Sequence, residues 1–292
     1  MVKIEDIAIT FVPNLTPRAV AHLIERFGCA EGIYSASVEQ LVGQGELNER
    51  VAQQIKSGAS LRDAEREMKI CSRCGVDIIT SADSGYPEQL RFIADYPHLL
   101  YIVGDGSLLG CSAMCAVMGG QGGISSYGEK LSLRIIEKIA DVAPETVIVG
   151  ALEGDLDTVV LRVACDMGLR CIGVTLSPLS TLSQQRYLRL ADEILARGGA
   201  VISERGEHSA AVDESLAPHH RIIAGLCRGV VIVEASEIPP VAKYADGYGR
   251  TLLAAPGRVS DSMSWGTNRM ITTSMAQMVC SVGDVIEYLE LD

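Results

Sequence analysis

The chain has 292 residues, 48% of them hydrophobic, and a formal net charge of -12 at pH 7. This length and composition predict a globular protein that buries a large core, arranged as one large domain and a small one. The sequence contains no apolar run of about 18 residues and begins without a charged-then-apolar leader. We therefore expect neither a membrane span nor a secretory signal.

Cysteine content and charge narrow the class of protein further. The nine cysteines are odd in number and irregularly spaced, which is typical of free thiols in a reducing cytoplasm. The acidic surplus disfavours nucleic-acid binding, because affinity for phosphates depends on Lys and Arg. A local basic cleft can still bind DNA on an acidic body, so the net charge does not exclude that function.

Residues 1–68 are predicted to form a small helical domain. Two pairs of residues are typical of helix starts: Thr16 with Pro17, and Ser37 with Gln40. The Thr16 and Ser37 side chains can accept from the first N–H groups of a helix, Gln40 can bond back to the Ser37 N–H, and Pro17 has no N–H that needs a partner. The helical patterns cover Thr16–Phe27, Ser37–Leu41, Asn48–Lys56 and Leu61–Lys69. The turn before Thr16 lacks glycines that would let backbone N–H groups reach a phosphate, so we interpret this domain as a packing module.

Cys71 and Cys74 form a CxxC pair at the end of the last of these helices. Two thiolates at this spacing can bind one zinc ion, but the sequence offers no second pair at the same spacing and no nearby histidine. A redox CxxC would open a helix after a strand. We therefore expect no metal site here.

Residues 69–292 are predicted to form an α/β domain with an extended Rossmann-like, doubly wound, mostly parallel sheet. Short apolar runs bounded by glycine alternate with helical patterns, as in parallel sheets buried on both faces. The predicted strands are Met114–Met118, Thr146–Val149, Cys171–Val174, Ala200–Ser203, Gly229–Val233 and Thr251–Ala255. The predicted helices are Gly128–Ala140, Leu156–Met167 and His219–Leu226. Right-handed crossovers would place the strand-to-helix loops along one edge, where ligands of such sheets bind.

The first strand-to-helix loop, Gly119–Gly128, is rich in glycine. Glycine lets the backbone approach a phosphate, and the start of the following helix offers N–H donors. The spacing does not give a clean GxGxxG, and no acidic residue occupies the place of a ribose ligand, so a dinucleotide site is weakly supported. The alternative is a loop that needs glycine only to turn.

No catalytic constellation is evident in the sequence. His219 and His220 are adjacent, so in a helix their side chains should diverge by about 100° and not form one cluster. No stretch brings together a base, a nucleophile and an orienting group. We therefore expect a binding protein rather than an enzyme, with no cofactor.

A set of motifs in consistent order resembles the DprA/Smf family of bacterial DNA-processing proteins. The similarity covers roughly residues 80–285, which is far more specific than any single loop. The matching segments are Tyr86–Leu90, Tyr96–Gly104, Ser125–Gly128, Gly198–Glu204, Arg221–Leu226, Val231–Ala235, Gly249–Arg250, Ala255–Gly257, Gly266–Asn268 and Met270–Ile271. The helical domain at the start resembles the SAM-like or helix-hairpin-helix domain that precedes the Rossmann core in this family.

Several polar positions depart from the family pattern. Gly119–Gln121 stands where the family has glycine-serine-arginine, so a phosphate-binding guanidinium is absent. Leu161 falls where the family has histidine, and His219–Arg221 replaces an arginine-asparagine-arginine triplet. The loop Ser236–Pro240 is a shortened form of the family's serine-glycine loop. The residues that indicate the fold are therefore retained, whereas several polar residues that would contact the ligand are absent.

The resemblance implies a cytoplasmic homodimer that binds single-stranded DNA during natural transformation, protects incoming strands and assists loading of the RecA recombinase. It places the strand along the glycine loops, with positive charge from nearby arginines. The candidate DNA-binding residues are Gly119, Gly120, Gln121, Ser125, Gly150, Ala151, Arg186, Arg189 and Arg221. Arg221 would neutralise a phosphate at the edge of the cleft, or alternatively pair with a carboxylate such as Glu234. The apolar segment Met270–Met278 would supply dimer surface.

Two other functions stay open. A Rossmann-like phosphoribohydrolase or nucleotide sensor could use the same cleft, but such enzymes carry a proline-glycine-glycine-x-glycine-threonine run, of which only Ala255–Gly257 is similar. A diverged paralogue could keep the fold and the dimer after losing DNA binding. The absence of the loop arginine and of the histidine at Leu161 points in that direction.

Overall fold

The computed structural model describes residues 2–120, 123–209 and 218–291. Within these residues a nine-stranded sheet has the order β1-β2-β6-β5-β4-β3-β7-β8-β9. The strands are β1 (Asp77–Thr80), β2 (Leu99–Gly104), β3 (Met114–Gly119), β4 (Val147–Ala151), β5 (Cys171–Val174), β6 (Ala200–Ser203), β7 (Gly229–Glu234), β8 (Thr251–Ala254) and β9 (Gln277–Met278). β2 runs antiparallel to β1 and β6, and the strands from β6 to β9 are parallel. The mostly parallel sheet predicted from the sequence is confirmed.

Helices cover both faces of this sheet and form a separate group at the start of the chain. The helices are α1 (Ile4–Thr10), α2 (Pro17–Phe27), α3 (Ala30–Ser35), α4 (Val38–Gly43), α5 (Glu49–Lys56), α6 (Ala59–Cys74), α7 (Glu88–Arg91), α8 (Ser126–Val142), α9 (Asp155–Asp166), α10 (Leu188–Ala196), α11 (His220–Leu226), α12 (Pro240–Gly247), α13 (Trp265–Thr272) and α14 (Val282–Tyr288). None of the helices in the described ranges is both long enough and apolar enough to cross a membrane.

The alternation of side chains along the strands divides the core into two layers. Cys115 and Val117 of β3 pack on one face with α8, α9, α10 and α14. Met114 and Ala116 pack on the other face with α7, α11, α12 and α13. Because successive residues of a strand point to opposite faces, a strand buried on both faces must be apolar throughout. This requirement explains the uninterrupted Val, Ile, Ala and Cys runs from which the strands were predicted.

The strand order reverses at β3. Its neighbours are β4 on one side and β7 on the other. The chain leaves the carboxyl end of β3 toward α8 and β4, whereas it enters β7 only after crossing to the other half of the sheet. The two sets of loops diverge from this point and leave a crevice, which is the usual ligand position in open α/β sheets.

The helical segment at the start of the chain has a core of its own, which includes Ile9, Leu23, Leu41 and Ile55. The predicted helix caps are present: the Thr16 side chain accepts from the Ala19 N–H, and Ser37 and Gln40 form a capping box. The short helices α1 and α3 were not predicted. α6 extends beyond the predicted end at Lys69, so residue 68 lies inside this helix, and the division of the chain into domains at 1–68 and 69–292 stays a prediction.

Two polar contacts join the helical segment to the sheet domain. Glu67 of α6 is 1% exposed, and its Oε2 accepts hydrogen bonds from the Glu207 N–H at 3.0 Å and from His208 Nδ1 at 3.1 Å. Asp6 Oδ1 lies 3.1 Å from Nε2 of the buried His98. Buried polar groups of this kind are expensive to leave unpaired, so these contacts fix how the two parts meet.

Replacing Glu67 with alanine should lower the free energy of unfolding by about 2 kcal/mol, because the Glu207 N–H and the His208 ring lose a buried charged partner. The matched control is Glu65→Ala, which removes an exposed carboxylate from the same helix. Urea denaturation of both variants measures the difference. Equal stability of the two variants would show that the Glu67 contacts contribute nothing.

Candidate functional site

The crevice at the carboxyl ends of β3, β4 and β5 contains a cavity of about 580 Å³. Backbone from the first loop forms one wall, the start of α9 forms the floor, and the segment before α10 forms the opposite wall. The residues that decide its chemistry are Gly119, Gly120, Glu153, Asp157, Arg186 and His219. The sequence predicted a site at this edge, and the structure forms a cavity there.

Gly119 and Gly120 line the cavity. A Cβ at Gly119 would lie 2.9 Å from Leu156 Cδ2, and a Cβ at Gly120 would lie 2.8 Å from Ala235 Cβ, so neighbouring residues leave little room for a side chain. The Gly120 N–H donates to the Glu234 carbonyl at 2.8 Å and is therefore already used within the sheet. Gln121, also a predicted site residue, lies outside the described residues.

Ser125 caps α8, but its donors are already used within the protein. The Ser125 N–H donates to Glu234 Oε2 at 2.9 Å, and its hydroxyl donates to Glu234 Oε1 at 2.7 Å. Glu234 is 4% exposed and ends β7. A carboxylate at a helix N-terminus is stabilised by the same N–H groups and dipole that would hold a phosphate. The anion position that the sequence predicted at the start of α8 is thus filled by the chain's own Glu234.

Gly150 and Ala151, predicted together, have different positions. Gly150 lies inside β4, where a Cβ would be 3.2 Å from Leu161 Cγ of α9, so its glycine permits close packing of a helix on the sheet. It does not line the cavity among the described residues. Ala151 ends β4 and lines the cavity. Only the second of the two is therefore placed to meet a ligand.

Arg186 and Arg189 lie side by side at a groove of about 280 Å³ that continues the crevice past the start of α9. Both are exposed, and Arg186 Nη2 donates to the backbone carbonyl of Glu153 at 3.3 Å. Arg162 of α9, which the sequence reasoning missed, lines the same groove, and its Nε lies 3.3 Å from Glu193 Oε2. Because α9 directly follows β4, the location of Arg162 on this helix could have suggested the residue from the sequence. The groove therefore has three guanidinium groups along its walls.

Three carboxyl groups that the sequence reasoning did not select line the cavity: Glu153, Asp157 and the exposed Asp155. Asp157 is 4% exposed, and burial raises its pKa to about 7, while a hydrogen bond from the Ala151 N–H at 3.4 Å favours the charged form. Burial also raises the pKa of Glu153, whose Oε1 accepts from the Leu176 N–H at 3.0 Å. Both follow β4 at its carboxyl end, a place where the rule for parallel sheets could have found them. Near neutral pH the cavity is less negative than its composition suggests.

His219 and His220 contradict the expectation that their rings diverge. The ring centroids are 4.6 Å apart in an edge-to-face arrangement, and both residues line the cavity. His219 precedes α11 but has an αR backbone (φ -68°, ψ -21°), so the two Cα–Cβ bonds diverge as in a helix and the rings meet through rotation of the side chains. Burial lowers the pKa of His219 to about 3 and that of His220 to about 4. Both rings are therefore neutral near pH 7.

Arg221 does not lie at the cleft edge as the resemblance implied. Its side chain is 5% exposed, and Nη2 donates to Glu204 Oε2 while Nε lies 3.7 Å from Asp95 Oδ2. The alternative partner proposed from the sequence, Glu234, is instead bound to Ser125. The first turn of α11 turns the guanidinium toward the loop after β6 and away from the cavity. The ion pair with a carboxylate is observed, although with different carboxylates from the one expected.

Metal-binding potential is low in the parts of the chain that the structure describes. No group of three or more His, Cys, Asp or Glu side chains is placed there to hold an ion. Cys71 of the CxxC pair is buried and donates to Glu67 Oε1 at 3.7 Å, whereas Cys74 is exposed. The two thiols thus lie in different environments at the end of α6.

Comparison with known sequences identifies relatives over most of the chain. Residues 77–290 match the family model described as DNA recombination-mediator protein A. Protein Smf of Escherichia coli (strain K12) is 29% identical over 261 residues, which are 85% of this chain and 68% of that protein. DNA processing protein DprA of Streptococcus pneumoniae is 32% identical over 211 residues, which are 71% of this chain and 72% of that protein.

Solved structures agree with this result. The X-ray structure of DNA processing protein A from Streptococcus pneumoniae matches 98% of this chain and 98% of its own, with a TM-score of 0.81 and 25% identity. A structure of DNA processing protein A from Helicobacter pylori, reported for its single-stranded DNA binding mode, matches 74% of this chain and 95% of its own, with a TM-score of 0.62 and 21% identity. The extended Rossmann-like fold predicted from the sequence is confirmed.

Replacing Asp157 with asparagine should raise the free energy of unfolding more at pH 8 than at pH 5. The folded-state pKa of about 7 lies above the ordinary value of 3.8, so the native protein takes up a proton that the unfolded chain lacks between these values. The stabilisation that this bound proton provides is lost as the pH rises through 7. An asparagine does not ionise and therefore avoids that loss.

The control for this measurement is Asp155→Asn, an exposed residue of the same helix turn. Its effect on stability should be the same at both pH values. Thermal unfolding of the two variants and the parent protein at pH 5 and pH 8 provides the comparison. An Asp157→Asn variant that is less stable than the parent at pH 8 would contradict the assigned pKa.

Proposed function

Since this chain belongs to the family of DNA recombination-mediator protein A, we propose that it binds single-stranded DNA in the crevice at the carboxyl ends of β3, β4 and β5. The observation that carries the proposal is the groove beside the start of α9, where Arg162, Arg186 and Arg189 meet an open cavity. Guanidinium groups in a row neutralise successive phosphates of a strand. The protein named in the Helicobacter pylori structure, which binds single-stranded DNA, has the same fold.

Backbone groups would add to this contact. The α9 N-terminus has no side-chain cap in the described residues and lines the same cavity as Gly119 and Gly120, of which the Gly120 N–H is already bound to the Glu234 carbonyl. Uncapped N–H groups and a helix dipole favour an anion near the first turn. Contacts with backbone and phosphate carry no sequence information, so binding should show little sequence dependence.

The acidic side chains of the cavity oppose binding less than their number suggests. Burial raises the pKa values of Asp157 and Glu153, which shifts both groups toward their neutral forms. A neutral carboxyl can donate a hydrogen bond to a phosphate oxygen instead of repelling it. This shift concerns two of the three carboxyl groups of the cavity, since the exposed Asp155 also lines it.

Membership of the family supports a proposal for the cellular role. We propose that the protein acts in the cytoplasm on strands taken up during natural transformation, protects them, and assists loading of the RecA recombinase. The nine free cysteines suit a reducing compartment. We also propose that it is not an enzyme. A mononucleotide that competes fully with a DNA strand for the crevice would instead favour the nucleotide sensor or the phosphoribohydrolase-like enzyme.

Arg186→Ala should weaken binding of a single-stranded oligonucleotide and lower the salt slope, because log K falls by about 0.7 per phosphate contact as log salt rises. The matched control is Arg170→Ala, since Arg170 precedes β5 at the opposite edge of the sheet. Fluorescence anisotropy at several salt concentrations measures both quantities. Wild-type affinity and slope in Arg186→Ala would place the strand elsewhere.

Arg221→Ala tests the buried arginine separately. Its removal leaves Glu204 and Asp95 without their cation, so the free energy of unfolding should fall by about 3 to 5 kcal/mol. The folded fraction should keep the parent affinity and salt slope. A stable variant with reduced strand binding would instead restore Arg221 to the DNA-binding site.

A homodimer is the remaining part of the proposal. Met270 is fully buried within its own chain and cannot supply the predicted surface, but Met278 of the edge strand β9 is 43% exposed. An exposed edge strand is available for pairing with a second copy. Light scattering at tens of micromolar should give the mass of a dimer, and Met278→Lys should shift it toward the monomer. A monomeric mass for the parent protein would exclude this assembly.

A further inference from the structure

Two aromatic side chains are exposed at the same edge of the sheet as the crevice. Trp265, the only tryptophan of the chain, is 59% exposed, and Tyr127 is 53% exposed. We propose that these two rings stack on bases of the bound strand, so that the strand turns its bases toward β7 and its phosphates toward α9. This inference rests on the proposed binding of single-stranded DNA.

The position of Trp265 follows from a short chain of contacts. The Gly266 N–H donates to the Ala235 carbonyl at 2.8 Å. Ala235 in turn packs on Gly120, where a Cβ would lie 2.8 Å from Ala235 Cβ. Trp265 is therefore joined through two residue contacts to the wall of the cavity.

Tyr127 reaches the same place from the other face of the sheet. It lies in the first turn of α8, two residues after Ser125, which is bound to Glu234. Ala235 follows Glu234 in the chain. α8 packs on one face of the sheet and α13 on the other, so the two rings flank the carboxyl end of β7 from opposite sides.

The backbone that carries Trp265 is firmly held although the ring is exposed. Asn268 accepts from the Gly257 N–H at 3.1 Å and donates to the Gly257 carbonyl at 3.0 Å. Gly266 approaches the Glu237 carbonyl so closely that a Cβ would lie 2.4 Å from it. A large ring on a fixed base loses little conformational freedom when it stacks, which favours such residues in binding.

The electrostatics of this end of the crevice also favour bases over phosphates. Ser125, the N-cap of α8, donates its N–H and hydroxyl to Glu234, and the Tyr127 and Gly128 N–H groups donate to Ser125 Oγ, so a phosphate there would meet a carboxylate and no free donor from these groups. The three arginines of the groove lie instead beside the start of α9. Stacking needs no charge and accepts any base, because every base has a π-face. The end of the crevice beside α9 thus suits the phosphates of the strand, and the end beside β7 suits its bases.

The single tryptophan gives a direct test. Oligothymidine should quench the fluorescence of the wild-type protein, and Trp265→Ala should weaken its binding about five- to a hundredfold, which is the range for loss of one stacked base. Trp265→Phe should retain most of the affinity because it keeps a ring. Phe92→Ala is the control, since Phe92 is 77% exposed but ends a different helix, α7, which packs on α11.

An oligonucleotide of the same length built from abasic sites keeps the phosphates and removes the bases. It should bind the wild-type protein more weakly than oligothymidine binds Trp265→Ala, because the contacts of both rings are lost, and Trp265→Ala should lose nothing further on it. Wild-type binding of oligothymidine without quenching, and with unchanged affinity in Trp265→Ala, would overturn the stacking inference and leave the proposed function standing. Absence of any binding to the wild-type protein would overturn both.

Discussion

The reversal of strand order at β3 is the constraint on which the site depends. A parallel strand whose two neighbours are reached by connections in opposite directions leaves its carboxyl end uncovered. β4 and β7 occupy the two neighbouring places. The residues that line the crevice lie at the carboxyl ends of β3, β4 and β5 and in the segment before α11. Side chains more than 100 residues apart in sequence, such as Ser125 and Glu234, meet there only because the sheet is wound in two directions. The fold thus sets the position of the site before any side chain sets its chemistry.

Charge is distributed unevenly within this frame. Arg221 and Glu204 form an ion pair in the interior, and Glu234 accepts hydrogen bonds from the N–H and hydroxyl of Ser125. These pairs remove three charged groups from the surface at which a ligand would bind. Of the three exposed arginines of the groove, Arg162 lies near Glu193, whereas Arg186 and Arg189 form no ion pair among the described residues and can meet an anion. A net charge summed over the whole sequence cannot show this separation, because it counts buried and exposed groups alike.

The sequence predicted the fold well because the relevant signals are local. The β-branched run Gly229–Val233 and the caps at Thr16 and Ser37 depend on residues within one turn or strand, and each was found at the predicted place. The edge of the sheet that holds the crevice was also predicted, since it follows from the handedness of the crossovers.

The orientation of individual side chains could not be predicted in the same way. Whether Arg221 faces a ligand or Glu204 depends on the rotation of a helix of seven residues against a loop that is distant in sequence. The pairing of Ser125 with Glu234, 109 residues away in the chain, depends on tertiary packing in the same way. The residues next to Asp157 in the sequence do not indicate its raised pKa, because burial by the surrounding chain causes the shift.

The contact of Glu67 with Glu207 and His208 has a thermodynamic consequence for the whole molecule. Glu207 and His208, which Glu67 binds, lie between two fixed points of the chain. One is the end of β6, where Glu204 pairs with Arg221, and the other is His219 at the crevice. Any ligand that binds more tightly when this stretch is held must in turn strengthen the attachment of α6 by the same free energy, since linkage between two equilibria is reciprocal. For such a ligand, occupancy of the crevice and attachment of the first six helices to the sheet would be thermodynamically coupled.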